Sequence, residues 1–242
     1  MTDSDLPPIH SLVPDVGRPR LKDKVVIVTG ANSPMGIGRA AAFRAAESGA
    51  RALYLCDRHG GFLDAQARQL RAAFPSLDVL VRHFDAASEV HVKAVVDDAL
   101  SRYQRLDVFF ANAGVGGDHV PFTQASAEDF MSVLRVNTMS VFIAAKHAAP
   151  AMSKTSASKP SPGGSIIATA SVAGLRANAG PTAYSASKAA VVSLAQTMSY
   201  QLAGTGVRVN AICPGLIQTA MTAPLWDAAR AKGTQGKIDY RH

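Results

Sequence analysis

Short apolar runs rich in β-branched residues alternate along the chain with longer stretches in which apolar residues recur at helical spacing. The runs are KVVIVT at 24–29, RALYLCD at 51–57, LDVLVRHF at 77–84, LDVFFAN at 106–112, SIIATAS at 165–171 and VRVNAIC at 207–213. Ala-rich helical stretches lie between them, at about 37–48, 62–73, 88–102, 126–149 and 182–203. Nearly continuous apolar strands separated by helices imply a parallel sheet covered on both faces, since such strands have no side left for water. Six of them predict an α/β fold: a doubly wound parallel sheet ordered 3-2-1-4-5-6, in one domain spanning 21–242. Residues 1–20, rich in Pro, Asp and Ser, read as a mobile tail. The polar SKTSASKPSPGG at 153–164 reads as a surface connection.

Composition narrows the classes further. With 48% apolar residues in 242, the chain can bury a sizeable core. No apolar run approaches the roughly 18 residues of a membrane span. The acidic, broken start MTDSDLPPIHSLVPD is not a secretory leader. Cys56 and Cys213 stand far apart, which suits a reducing, cytoplasmic setting and core packing rather than a disulfide framework. The histidines are scattered without ligand spacing, so no metal site is expected. The net charge of +7 is unevenly placed: no acidic residue lies between Asp129 and Asp227, a stretch holding Arg135, Lys146, Lys154, Lys159, Arg176, Lys188 and Arg208. Spread so thinly, these cations do not form a nucleic-acid footprint, and RNA binding is the remotest reading.

The first strand runs directly into TGANSPMGIG, Thr29 to Gly38, and then into a helix. Free amides and the helix dipole at such a junction favour a pyrophosphate. Gly30 permits the tight turn, Gly36 lets backbone approach the ligand, and Gly38 lets the helix pack close to the strand. Asn32, Ser33, Met35 and Ile37 complete the candidate phosphate turn. Asp57, at the end of the second strand, can accept bonds from both adenosine ribose hydroxyls and repel a 2′-phosphate, favouring NAD(H). Arg58 beside it could instead pair with that phosphate, so NADP(H) stays open. Asp85 closes the third strand where an adenine edge would lie, and Asn112-Ala113-Gly114 ends the fourth with small residues against which a cofactor could rest.

Tyr184 and Lys188 lie four apart in the last long helical stretch and therefore share a face. A phenol titrates near pH 10, too high for base catalysis near neutrality. An ammonium about 4 Å away, at an effective dielectric near 20, favours the phenolate by about 4 kcal/mol, or roughly three pKa units. Ser171 sits at the carboxyl end of the fifth strand, the edge at which open α/β sheets bind ligands.

Taken in order and at their separations, the Thr29–Gly38 turn, Asn112-Ala-Gly, Asn137 within RVNTMSVF, Ser171, Tyr184-Ser-Ala-Ser-Lys188 and Pro214-Gly-Leu-Ile-Gln-Thr219 resemble the short-chain dehydrogenase/reductase family. The resemblance covers about residues 22–222. It implies an NAD(P)-dependent oxidoreductase that interconverts a secondary alcohol and a ketone. Tyr184 would be the general acid/base, and Lys188 would bind the nicotinamide ribose and lower the tyrosine pKa. Ser171 would position the reacting oxygen, and Asn137 would hold a water in a relay to Lys188. Pro214, Gly215, Ile217 and Thr219 would meet the nicotinamide end. The stretches 115–122 and 173–181, small and apolar, suggest a small neutral alcohol or ketone substrate. The helices at 126–149 and 182–203 could support a homo-oligomer.

The turn holds five residues between Gly30 and Gly36, where the common family pattern has three, and Ala111 stands where Asn is frequent. After Thr219 only 23 residues follow, without the seventh strand usual in the family. A sheet lacking that strand leaves VRVNAIC as an apolar edge. An alternative reading is therefore a shortened, non-catalytic dinucleotide-binding remnant.

Overall fold

In the computed structural model, residues 6–7 and 19–233 are described. The sheet contains β1 (Val25–Thr29), β2 (Ala52–Asp57), β3 (Asp78–His83), β4 (Val108–Ala111), β5 (Gly164–Thr169) and β6 (Val207–Ile212). Every pairing is parallel and the order is β3-β2-β1-β4-β5-β6, as the alternation of runs and helices predicts. Alternation along β1 explains why its sequence is apolar throughout. Val25 and Ile27 face one core and Val26 and Val28 the other.

The helices are α1 (Ile37–Glu47), α2 (Leu63–Ala73), α3 (Glu89–Tyr103), α4 (Ala127–Leu134), α5 (Ser140–Met152), α6 (Thr182–Gln201) and α7 (Ala223–Ala231). Ala42, Ala45 and Ala46 of α1 pack with Leu63, Ala67 and Leu70 of α2 on one face of the sheet. On the other, Val92, Val95 and Ala99 of α3 meet the alanines of α5 and Val191 and Ala195 of α6. Alanine-rich surfaces let these helices lie close to the strands, and their small side chains lose little entropy on burial.

Two elements depart from the expected pattern. The single helix expected over 126–149 is broken by a π-helical turn at Arg135–Met139, which separates α4 from α5. Ser126 caps α4, its Oγ accepting from the Asp129 amide at 3.0 Å. α7 was not foreseen. It buries Trp226 and Ala229 and follows β6, which pairs only with β5 among the described residues. The expectation of a mobile tail over 1–20 falls outside the described residues except at 6–7 and 19–20. There Leu6 is buried and the Pro7 carbonyl accepts a bond from Arg39.

Order 3-2-1-4-5-6 reverses direction between β1 and β4, opening a crevice beyond their carboxyl ends. Three hydroxyl and amide groups stitch that edge together. Thr29 Oγ1 accepts the Asn112 and Ala113 amides at 3.0 and 3.1 Å. The Asn112 amide group donates to the Thr29 and Gly30 carbonyls, and Thr169 Oγ1 donates to Asn112 Oδ1 at 3.0 Å. β1, β4 and β5 are thus fixed to one another where a ligand would enter.

Candidate active site

The glycine turn opens at Gly30, whose φ of +68° few side-chain-bearing residues adopt. Gly38 is required for a different reason: a Cβ there would come within 2.3 Å of the Gly30 carbonyl oxygen, so the helix could not start against the strand. At the turn's first half, the Asn32 amide donates to Asp57 Oδ2 at 2.9 Å. Asn32 Oδ1 accepts the Phe62 amide and its carbonyl accepts Gln66 Nε2, each at 2.8 Å. Asn32 is therefore a tie between the turn and α2. Asp57 Oδ1 also accepts the His59 amide at 3.0 Å, which fixes the carboxylate at the end of β2 with Arg58 exposed beside it. Ser33 Oγ is buried with no hydrogen-bond partner.

Met35, Gly36 and Ile37 line a cleft of about 300 Å³ whose opposite wall is Pro214 and Ile217. Two segments 180 residues apart in sequence are thus brought face to face. Asp85 stands just past the end of β3. Its carboxylate accepts the Ala87 amide at 2.9 Å and lies 3.9 Å from Arg135, so its side chain braces the end of β3. Thr219 is joined to Thr222, whose Oγ1 donates to the Ile217 carbonyl at 2.5 Å, and the segment after Pro214 is held in a compact turn.

The second cleft, of about 770 Å³, is lined by Ser171, Val172, Ala177, Ala179, Gly180, Pro181, Tyr184, Gly215, Leu216, Met221, Thr222 and Leu225 among others. Small and apolar side chains dominate as expected, with His119 and Arg176 as additional basic groups and no acidic residue in the lining. Pro214 and Ile217 face the turn cleft while Gly215 and Leu216 face this one, so a single stretch of backbone separates the two.

Of the residues singled out by spacing, Ser171 and Tyr184 line this second cleft. Ser171 leads into a 3₁₀ turn at Val172–Gly174 and its Oγ accepts the Ala173 amide at 3.1 Å. Burial pushes the Tyr184 phenol above its ordinary value, and the Ser171 side chain acts in the opposite direction more weakly. The Lys188 ammonium is 3% exposed, donates to the Thr169 carbonyl at 2.7 Å and lies 5.5 Å from the centroid of the Tyr184 ring. Desolvation lowers its pKa to about 8. The sequence argument let the ammonium lower the phenol pKa. In the folded chain burial prevails, since the ammonium is directed to Thr169 and sits over the ring face.

Asn137 lies within the π turn and is fully buried. Its Oδ1 accepts the Val115 amide at 2.8 Å, and its Nδ2 donates to the Val115 carbonyl at 2.9 Å and to Ser187 Oγ at 3.0 Å. Ser187 Oγ in turn donates to the Tyr184 carbonyl at 2.7 Å. The extra residue of a π turn re-aims a side chain, and here it links the loop after β4 to the helix carrying Tyr184. Gly114 completes the contact: a Cβ there would lie 3.1 Å from Asn137 Oδ1 and 3.4 Å from Lys188 Nζ. Thr29, Thr169 and Ser187 were not anticipated. Hydroxyls at strand ends and one turn apart on a helix carry no distinctive spacing.

Residues 24–230 match the family described as short chain dehydrogenase. The chain belongs to that family. Among curated relatives, the short-chain dehydrogenase is 34% identical over 202 residues to the levodione reductase of Leifsonia aquatica, covering 84% of this chain and 72% of the relative. To the 3-oxoacyl-(acyl-carrier-protein) reductase of Thermotoga maritima it is 35% identical over 211 residues, covering 87% and 81%. To the meso-2,3-butanediol dehydrogenase of Serratia marcescens it is 35% identical over 205 residues, covering 84% and 75%. A solved levodione reductase structure superposes with a TM-score of 0.79 at 32% identity, covering 90% of this chain and 81% of that one. This short-chain dehydrogenase is accordingly an NAD(P)-dependent oxidoreductase of a family acting on alcohols and ketones. No helix among its described residues is long and apolar enough to cross a membrane.

The turn fits the dinucleotide that the family uses. Gly30 and Gly38 let α1 start tightly against the end of β1, and Ser33 offers a buried hydroxyl without a hydrogen-bond partner among the described residues.

Proposed function

We propose that the chain interconverts a secondary alcohol and a ketone, with Tyr184 as general acid/base and NAD(H) as the preferred cofactor. The supporting observation is that Ser171 and Tyr184 line the larger cleft, with Lys188 over the Tyr184 ring, while the 214–217 stretch lines both that cleft and the one at the glycine turn. The dinucleotide, when bound, supplies or accepts the hydride. Tyr184 gives its proton to the oxygen of a ketone or takes one from an alcohol. Ser171, in the same cleft, offers that oxygen a second hydroxyl. The Lys188 ammonium, seated over the tyrosine ring, favours the negative charge of the phenolate as it forms. Asn137 holds the Val115 loop against α6 and so keeps the floor of the site beside Lys188 in place.

The turn residues Gly30, Asn32, Ser33, Met35, Gly36, Ile37 and Gly38 would hold the pyrophosphate, and Asp57 the adenosine ribose. Ala113 and Gly114 would lie against the cofactor, and Pro214, Gly215, Ile217 and Thr219 would flank the nicotinamide. A carboxylate already fixed by two backbone amides disfavours a 2′-phosphate, which is why NAD(H) is preferred although Arg58 stands next to it. Most of the substrate cleft is Gly, Ala, Val, Pro, Leu and Met, which suits a small neutral compound. The fold from 21 onward acts as one domain. A homo-oligomer through α4, α5 and α6 suits the exposure of Met131, Met139, Phe142 and Tyr200. Two free cysteines suit a reducing cytoplasmic setting.

The test is to titrate NADH and NADPH against thermal stability, then follow nicotinamide absorbance with a panel of ketones and secondary alcohols. NADH at about 100 times its Kd should stabilise the fold by about 2.7 kcal/mol. Turnover should appear on at least one member of the panel. Dinucleotide binding without any turnover would favour the non-catalytic alternative, and no binding would overturn the reading.

A further inference from the structure

Arg39 takes no part in the chemistry above, yet it is one of the least expected residues in the molecule. It lies in the first turn of α1, where a cation opposes the helix dipole, and is only 2% exposed. No carboxylate pairs with it among the described residues. Its Nη1 donates to the Pro34 carbonyl at 2.7 Å, and its Nη2 donates to the Pro7 carbonyl at 2.8 Å and to Gln69 Oε1 at 3.1 Å. Nε is buried without a partner, and the guanidinium stands 5.5 Å from the centroid of the Phe43 ring. Burying a guanidinium is costly, and burial lowers its pKa. Two local rules are broken at one residue, the pattern expected where a group has a task.

Its three partners indicate the task. Pro34 belongs to the lengthened glycine turn. The start of that turn is held by the Cys56 carbonyl, which accepts the Ala31 amide at 3.2 Å, and by Asp57. Its far side is held by Arg39. Gln69 belongs to α2, and Pro7 to the N-terminal segment, whose neighbour Leu6 is buried. One planar fork therefore joins the phosphate turn, a core helix and the N-terminal segment. A cation behind the turn also raises the positive potential felt by an anion in front of it.

We propose that Arg39 is a positioning residue for the dinucleotide turn and that Leu6–Pro7 is the latch that holds Arg39 in position. This rests on the dinucleotide reading above. Docking of the N-terminal segment and binding of the cofactor are then coupled, and each strengthens the other.

The test uses the full chain and its Arg39→Met, Arg39→Lys and Leu6→Asp variants, with NADH as the probe. Arg39→Met should weaken NADH binding and raise the cofactor KM about tenfold, with kcat changed by less than twofold. Arg39→Lys, which restores a cationic donor, should recover part of the loss. Leu6→Asp should weaken NADH in the same direction, and the double variant Leu6→Asp/Arg39→Met should bind no more weakly than Arg39→Met alone. Saturating NADH should slow amide exchange of the peptide containing Leu6 in the parent but not in Arg39→Met. If Arg39→Met fails to fold, Leu6→Asp and the exchange measurement on the parent decide the matter. Unchanged NADH affinity in Leu6→Asp, or no protection of the Leu6 peptide by NADH, would overturn the latch. A parent that binds neither NADH nor NADPH would overturn the dinucleotide reading itself and the latch with it.

Discussion

Around the glycine turn, the side chains chiefly hold backbone: Asp57 and Asn32 at its start, Arg39 at its far side. Around Tyr184 the functional side chains themselves gather. A phenol, a hydroxyl, an ammonium and a carboxamide stand in a desolvated cluster drawn from one helix, a strand end and a π turn. On the proposed reading, the first half would recognise shape and negative charge through the trace of the chain. The second depends on the identity and protonation of individual atoms. Substitutions should therefore separate the halves: those in the turn should move affinity, and those in the cluster should move turnover and its response to pH.

The largest effect is expected from Tyr184→Phe, which keeps the ring over which Lys188 sits and removes only the hydroxyl. General acid/base catalysis contributes about 10²–10⁴-fold. Steady-state kinetics should show kcat falling by that factor, with NADH affinity unchanged within about twofold. A variant retaining full turnover would sink the assignment of Tyr184, and a matching loss of NADH affinity would erase the contrast between the halves.

Lys188 provides the next effect, and its sign follows from burial. The ammonium titrates at about 8 in the folded chain against an ordinary value of 10.5. Below about pH 8 both folded and unfolded chains carry the proton, and the penalty of burying the charge is full. Between about 8 and 10.5 the unfolded chain binds more protons, so stability rises with pH through that window. The shift corresponds to about 3 kcal/mol. Urea unfolding of the parent and of Lys188→Met at the two ends of the window should show the parent gaining about that amount relative to the variant. A constant difference would mean that the ammonium is effectively solvated, and the cluster would then lose its distinguishing property.

The sheet was legible because each strand is a short, mostly apolar run bounded by turn residues, and the five helical stretches begin within a residue or so of observed helices. The candidate cluster was legible because Tyr184 and Lys188 lie at fixed spacing on one helix and Ser171 at a strand end. What escaped depends on contacts distant in sequence. The π turn at Arg135–Met139 accompanies bonds from Asn137 to Val115 and Ser187, which no local pattern announces. Thr29 and Thr169 read as ordinary strand residues until β1, β4 and β5 are set side by side. Arg39 reads as a solvated helix residue until Pro7 and Gln69 cover it. α7 did leave a signal, Pro224 at the start of a stretch with helical spacing, and that signal was available to a closer reading.

The smallest effect tests the binding half directly. Asp57→Asn keeps a carbonyl oxygen that can accept one of the two backbone amides now bound to the carboxylate, but it removes the charge. The turn should remain in place, since the Cys56 carbonyl and Arg39 hold it independently. A ribose hydroxyl then loses a charged acceptor, and a 2′-phosphate loses a like-charge neighbour while Arg58 remains beside it. The ratio of NADH to NADPH affinity, measured by fluorescence titration, should fall about tenfold, and kcat with the saturating cofactor should hardly change. An unchanged ratio would mean that the carboxylate serves only the turn. A fall in kcat comparable to that of Tyr184→Phe would mean that the two halves are coupled more tightly than their separate construction implies.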